Sequence, residues 1–302
     1  MEHKVKLGLG TVQFGMDYGI SNINGKICPE EVRKIIAVAK ENDINIIDTA
    51  TLYNDSESVL GQSLTENHKF KIVTKSPVFK VDLITTVQVE HLRIVFNHSL
   101  EKLHQDSLYG LLIHNPDDLL TPGGELLIEE MRNIRRQKLI EKIGISIYTE
   151  QQIDRILNLF IPDIIQVPIN IFDQRLIESG HLRKLKNMGI EIHARSIFLQ
   201  GLLFMEPKDL PKYFSPIHDH FIFYNRFLES NRLTKLQAAL LFVNQIKEID
   251  VVIVGVSSVS ELNEIIAATD IINSFKHVDM SALRILHENM INPSNWKYNK
   301  HI

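Results

Sequence analysis

Asp48, Tyr53, Lys75 and His114 are the residues whose types and order promise chemistry, because they lie just past the ends of three successive apolar runs that read as strands. A carboxylate, a phenol, an amine and an imidazole at one face make a device for protonating a carbonyl oxygen. Hydride addition to a carbonyl leaves a developing alkoxide, and a phenol of suitable acidity can protonate it. Unperturbed tyrosine titrates near pH 10, so bringing Tyr53 near 7 takes roughly 4 kcal/mol at about 1.4 kcal/mol per unit. A lysine cation about 4 Å away supplies an attraction of that size at an effective dielectric near 20. Lys75 is therefore expected to tune Tyr53, with Asp48 keeping the lysine charged and oriented against the cost of burial. A neutral His114 would donate a hydrogen bond to the carbonyl oxygen as charge develops. Singly, each residue has a plainer reading as a cap, a loop aromatic, a solvated cation or a satisfied histidine, and only the joint placement favours chemistry.

The elements that must position these four alternate without a break. Short β-branched runs occur at residues 5–9, 45–47, 70–74, 107–113, 140–145, 163–167, 190–194 and 251–254, eight candidate strands. Amphipathic helical patterns lie between them, such as Val32, Ile35, Ile36 and Ala39 behind Pro29, Glu30 and Glu31. The same spacing recurs at Leu236, Ala239, Leu240 and Val243, and Leu92, Val95, Phe96, Leu100 and Leu103 form another apolar face. Near-continuous apolar strands alternating with helices predict a parallel sheet covered by helices, and eight units favour one closed (β/α)8 TIM barrel over an open doubly wound sheet. In such a barrel chemistry belongs at the carboxyl ends of the strands, where Asp48, Lys75 and His114 stand.

The 302 residues, 44% of them apolar, are enough for a large core and read as a single domain, 1–302, with a C-terminal tail from about residue 292. That tail, with Trp296 and Tyr298, is expected to pack on the barrel surface. With 33 basic and 37 acidic residues the net charge is −4, and no charge block points to nucleic acid, so small molecules are the expected partners. The start MEHKVKLGLG lacks the apolar stretch of a signal peptide, and no segment approaches the roughly 20 apolar residues that span a bilayer, so a cytoplasmic protein is expected. Cys28 is the lone cysteine, and redox chemistry would belong to a bound cofactor. The His218-Asp219-His220 triplet has no HExxH or cysteine pair beside it and reads as a solvated loop rather than a metal site. The irregular stretch from Gly201 to Arg232 is a candidate active-site loop.

The segments LGLGTVQFG, INIIDTATLYNDSESVLGQSL, IVTKS and LLIHNPDD resemble the aldo-keto reductases, whose active site is an Asp, Tyr, Lys, His tetrad in this order. The resemblance extends from about residue 5 to residue 272. It implies a (β/α)8 barrel that binds NADPH or NADH in an extended pose without a Rossmann domain, and catalytic roles for Asp48, Tyr53, Lys75 and His114. Gly8, Gly10 and Gly15 do not follow G-x-G-x-x-G, which argues against a Rossmann loop and leaves a tight turn or a substrate-pocket wall. By the same resemblance Ser146 and Gln166 would bond the nicotinamide carboxamide. Ser196, Phe198, Gln200 and Gly201 would wrap the pyrophosphate, and Gly255, Ser257 and Ser258 would approach phosphate at a helix amino terminus. The SSVSE segment also reads as an ordinary helix cap.

Two departures matter. Many members of the resembled family place an aromatic ring against the nicotinamide where this chain has Arg195, so Arg195 either stacks by its guanidinium plane or binds substrate. Many NADPH users have an arginine near the position of Glu261, and no lysine or arginine occurs between Gly255 and Phe275, so NADH is expected to serve at least comparably. Lys208 or Lys212 would be the basic residue to rescue a 2′-phosphate site. Around the carbonyl, Gln13, Phe14, Tyr18, Tyr148, Phe172, Arg175 and Arg226 are candidate lining residues alongside Arg195, and they suit a polar, sugar-like or anionic aldehyde or ketone. Two other functions stay open: a nucleotide-binding regulatory or scaffolding subunit on the same fold, and an isomerase or aldolase using Lys75 as a Schiff-base amine.

Overall fold

Eight parallel strands pair in sequence order and close, β8 returning to β1. They are β1 (Lys6–Gly10), β2 (Ile46–Asp48), β3 (Lys71–Lys75), β4 (Leu108–Ile113), β5 (Ile140–Ser146), β6 (Ile164–Pro168), β7 (Glu191–Arg195) and β8 (Val251–Gly255). The structure is a computed structural model and describes residues 6–20, 22, 25–66 and 68–296. Val5, expected to open the first strand, and Tyr298 of the tail lie outside the described residues.

Each strand is followed by a principal helix: α1 (Pro29–Glu41), α2 (Ser56–Ser63), α3 (Thr86–Leu103), α4 (Glu125–Arg136), α5 (Glu150–Leu157), α6 (His181–Asn187), α7 (Lys235–Asn244) and α8 (Val259–Ile272). Helix starts follow local chemistry. Pro29 opens α1 with Glu30 and Glu31 in its first turn, and Thr85 with Gln88, Thr149 with Gln152 and Thr234 with Gln237 form reciprocal caps on α3, α5 and α7. The apolar stripes face the sheet as their spacing predicts, Val32, Ile35, Ile36 and Ala39 being buried on α1.

Most of the core lies between sheet and helices. A smaller cluster, Ile46, Val73, Tyr109, Leu112, Ile164, Val251 and Ile253, forms a second apolar group drawn from strand residues. Several strands run one residue past their apolar pattern, so that Asp48, Lys75, Ser146, Arg195 and Gly255 are the last strand residues rather than the first loop residues. A polar side chain at that position still pairs through its backbone.

The stretch from Gly201 to Arg232 is more regular than its sequence suggests: three short 3-10 turns lead into a helix, His218–Asn231. His218 begins that helix and, like Asp219, is exposed, while His220 bonds the Leu283 carbonyl at 2.7 Å and packs edge-on to Phe172, so the triplet is helical with two of its side chains solvated. Among the described residues no group of three or more His, Cys, Asp or Glu side chains is placed to hold a metal ion. No described helix is long and apolar enough to cross a membrane. Trp296 packs edge-on to Phe214, in the 3-10 turn Lys212–Ile217, with ring centroids 5.0 Å apart.

Candidate active site

The side chain of Lys75 is 1% exposed, and a buried amine persists only with partners. Its Nζ donates to Asp48 Oδ2 at 2.6 Å and to the Thr49 carbonyl at 2.9 Å. Gln166 Nε2 donates to the other carboxylate oxygen, Asp48 Oδ1, at 2.8 Å. Strands β2, β3 and β6 are thereby tied together below the cleft. Burial lowers the pKa of Lys75, and the charge and hydrogen bond of Asp48 oppose the drop.

Tyr53 comes from the loop after β2 and meets His114 edge-to-face, with ring centroids 6.0 Å apart and planes at 87°. Lys75 Nζ stands 5.2 Å from the Tyr53 ring centroid. Burial, and then the Asp48 charge, push the Tyr53 hydroxyl above the usual tyrosine range, with Arg195 opposing. The expectation that Lys75 draws Tyr53 toward neutrality is corrected here: the lysine charge is cancelled at short range by Asp48, and desolvation dominates. The Tyr53 hydroxyl therefore stays protonated. Burial, helped by the Lys75 and Arg195 charges, pushes His114 down to about 3, so its ring is neutral. Its Nδ1 is buried without a hydrogen-bond partner.

The shape of the Tyr53 loop has identifiable causes. Ser56 Oγ donates to the Thr11 carbonyl at 2.8 Å and lies 3.2 Å from Thr49 Oγ1, joining the loops after β1 and β2. The buried Glu57 carboxylate accepts from Thr74 at 2.6 Å and Ser99 at 3.1 Å, fastening α2 to β3 and α3. Gly15 passes so close that a Cβ there would stand 1.8 Å from the Tyr53 carbonyl oxygen. These contacts supply physical reasons for the SExxLG segment and for Gly15.

A cavity of about 610 Å³ opens above the tetrad. It is lined by Asp48, Tyr53, Lys75 and His114, and by Ser146, Gln166, Arg195, Ser196, Phe198, Gln200, Gly201, Gly255, Ser257 and Glu261. Ser258 is the exception among the candidates: it does not line the cavity, and its hydroxyl accepts from the Glu261 N–H at 3.2 Å as the cap of α8. Glu261 in turn accepts from the Ser257 N–H at 2.6 Å. The cap reading of SSVSE thus holds for Ser258 and Glu261, while Ser257 still faces the cleft.

After β7 the chain takes positive φ at Ser196, Leu199, Gln200 and Gly201, a tight fold that brings the Gln200 carbonyl to the Ile20 N–H at 3.0 Å. The loops after β1 and β7 thus meet at the cleft. Gln13, Tyr18 and Tyr148 line it as expected. Phe14 and Phe172 do not, being wholly buried, Phe172 among Phe221 and Tyr224. Arg175 is held by Asp173 and Glu288, and neither it nor Arg226, Lys208 or Lys212 lines the cleft. Asn22 and Phe204 line it as well, Phe204 falling in the stretch from Gly201 to Arg232 read as a candidate active-site loop. Phe204 packs on Phe198, and its place four residues past Gln200 in the apolar run GLLF is the signal that points to it.

An ion pair locked beneath a protonated phenol, with a neutral imidazole beside it, can deliver a proton to an oxygen held in the cleft. The aldo/keto reductase family model matches residues 6–288. Aldo-keto reductase AKR2E4 of Bombyx mori is 30% identical over 181 residues, covering 56% of this chain and 57% of its own length. The oxidoreductase sirO of Leptosphaeria maculans is 26% identical over 203 residues, covering 64% of this chain and 60% of its own. The chain thus spans less than two thirds of the length of these curated relatives. Among solved structures, the holo form of aldo-keto reductase AKR11C1 from Bacillus halodurans superposes with a TM-score of 0.71 at 19% identity, covering 98% of this chain and 94% of that one.

Proposed function

The chain belongs to the aldo/keto reductase family, and from that premise we propose that it reduces an aldehyde or ketone with NADPH or NADH as the hydride source and Tyr53 as the proton donor. One observation carries this reading: the Lys75–Asp48–Gln166 chain of hydrogen bonds lies under the cleft that Tyr53 and His114 share. A reduced nicotinamide dinucleotide supplies the hydride when bound. His114, neutral, donates a hydrogen bond to the carbonyl oxygen and orients it toward Tyr53. Tyr53 gives its proton to the oxygen as charge develops, and the Arg195 charge favours the phenolate left behind.

The cleft fits such a cofactor. Ser146 and Gln166 offer amide-compatible groups beside the tetrad, although one Gln166 N–H is committed to Asp48. Ser196, Phe198, Gln200 and Gly201 would hold the pyrophosphate, and Gly255 and Ser257 the adenosine half. Gln13, Tyr18 and Gln200 make a polar wall suited to a small, sugar-like carbonyl compound. The test is a panel of aldehydes and ketones followed by loss of NADH and NADPH absorbance. Turnover of at least one compound is expected; cofactor binding with no turnover on any of them would instead favour a regulatory subunit.

A further inference from the structure

Arg195 enters the cleft as a cation with no carboxylate paired to it among the described residues. Asp48 and Lys75 cancel one another, and Glu261, the other carboxylate in the cleft, accepts from the Ser257 N–H rather than pairing with Arg195. His114 is neutral, and burial holds the Tyr18 hydroxyl protonated, up to about 12. No carboxylate among the described residues pairs with Arg195, and Lys75 and Arg195 are the two Lys or Arg side chains that line the cavity. The Arg195 guanidinium is also short of acceptors. Nη2 donates to the Ile147 carbonyl at 3.0 Å and Nη1 to Ser196 Oγ at 3.3 Å, while Nε is buried with none. Five N–H donors thus meet two protein acceptors.

The group is nevertheless fixed. Its carbon lies 4.4 Å from the Tyr148 ring centroid, so one face is covered and the plane is set before any ligand arrives. A planar, preorganised fork is matched by a carboxylate or a phosphate, whose oxygens accept two N–H groups at once. The charge of Arg195 acts on Tyr53, Lys75 and His114, so an anion bound there stands near the reacting carbonyl.

We propose that Arg195 selects the substrate: the aldehyde or ketone reduced here carries a carboxylate or phosphate that the guanidinium binds. This rests on the reductase reading above. The carbonyl carbon gains the hydride, its oxygen gains the Tyr53 proton, and the anionic group passes through unchanged as a handle.

The test compares matched pairs: 4-carboxybenzaldehyde with benzaldehyde for a carboxylate, and glyceraldehyde 3-phosphate with glyceraldehyde for a phosphate. The wild-type kcat/KM is expected to favour the anionic member of at least one pair by about tenfold, equivalent to about 1.4 kcal/mol, and the preferred pair identifies the anion. That preference should shrink as KCl is raised and collapse toward unity in Arg195→Gln. Reduction of both members equally well by the wild-type protein would overturn the assignment and leave the reductase reading standing. Failure to reduce any of the four, or any other carbonyl compound, would overturn both. Loss of NADH affinity in Arg195→Gln by fluorescence titration, with the anionic preference intact, would make Arg195 a cofactor ligand instead.

Discussion

Burial first, and the Asp48 charge second, keep the Tyr53 hydroxyl protonated over a wide range of pH, and the proposed mechanism uses that proton. Tyr53→Phe removes the donor and little volume. It should lower kcat by about 10²–10⁴-fold while leaving NADH affinity, read by fluorescence titration, nearly unchanged; full turnover by the variant would sink the mechanism. His114 gives a stability prediction. The unfolded imidazole takes a proton near 6.5 and the folded one only near 3. Between these values the unfolded chain binds more protons, so stability falls as pH drops through that window. His114→Gln cannot titrate, and thermal unfolding from pH 7 to pH 4 should show a shallower loss for the variant. Parallel curves would mean that His114 does not titrate as described.

At the scale of elements, the loops after β1 and β2 are held by close backbone approach, which side-chain types alone reveal poorly. Gly15→Ala would drive a Cβ against the Tyr53 carbonyl, and the backbone must move. A loss of about 1–3 kcal/mol is expected, seen as a lower denaturant midpoint together with reduced kcat. Ser258→Ala makes the contrast: it removes the cap of α8 at about 1 kcal/mol and should leave cofactor affinity alone, because Ser258 lies off the cleft. The same distinction separates what is legible in sequence from what is not. Asp48, Lys75 and His114 are readable because apolar runs end beside them and strand ends in a barrel converge. Phe172 and Arg175 are not, because the segment after β6 has no period, Phe172 packs against the distant Phe221, and Arg175 turns to Asp173 and Glu288 rather than to the cleft. The acidity of Tyr53 also escapes such a reading: residue order names the groups around a phenol but not how completely water leaves it.

At the scale of the whole molecule, a closed barrel makes every strand a neighbour of two others, so a ligand spanning its rim stabilises the sheet as a unit. The cleft reaches from Gly10 to Ser257 and Glu261, touching loops that follow most of the strands. A cofactor at about 100 times its Kd adds about 2.7 kcal/mol to stability, which for a chain of this size is a rise in Tm of several degrees. Which cofactor gives the larger rise is decided at the adenosine end. Glu261 lines the cleft there, Lys208 and Lys212 do not, and the chain from Gly255 to Phe275 contains no lysine or arginine. A 2′-phosphate would meet a carboxylate without a compensating cation from that segment, whereas a ribose hydroxyl can donate to it. Scanning calorimetry at equal concentrations should therefore give NADH a shift at least as large as that of NADPH, and Glu261→Arg should move the balance toward NADPH. A clearly larger NADPH shift for the wild-type protein would overturn this preference without touching the tetrad, because Glu261 stands after β8 while Asp48, Tyr53, Lys75 and His114 come from β2, β3 and the loops after β2 and β4.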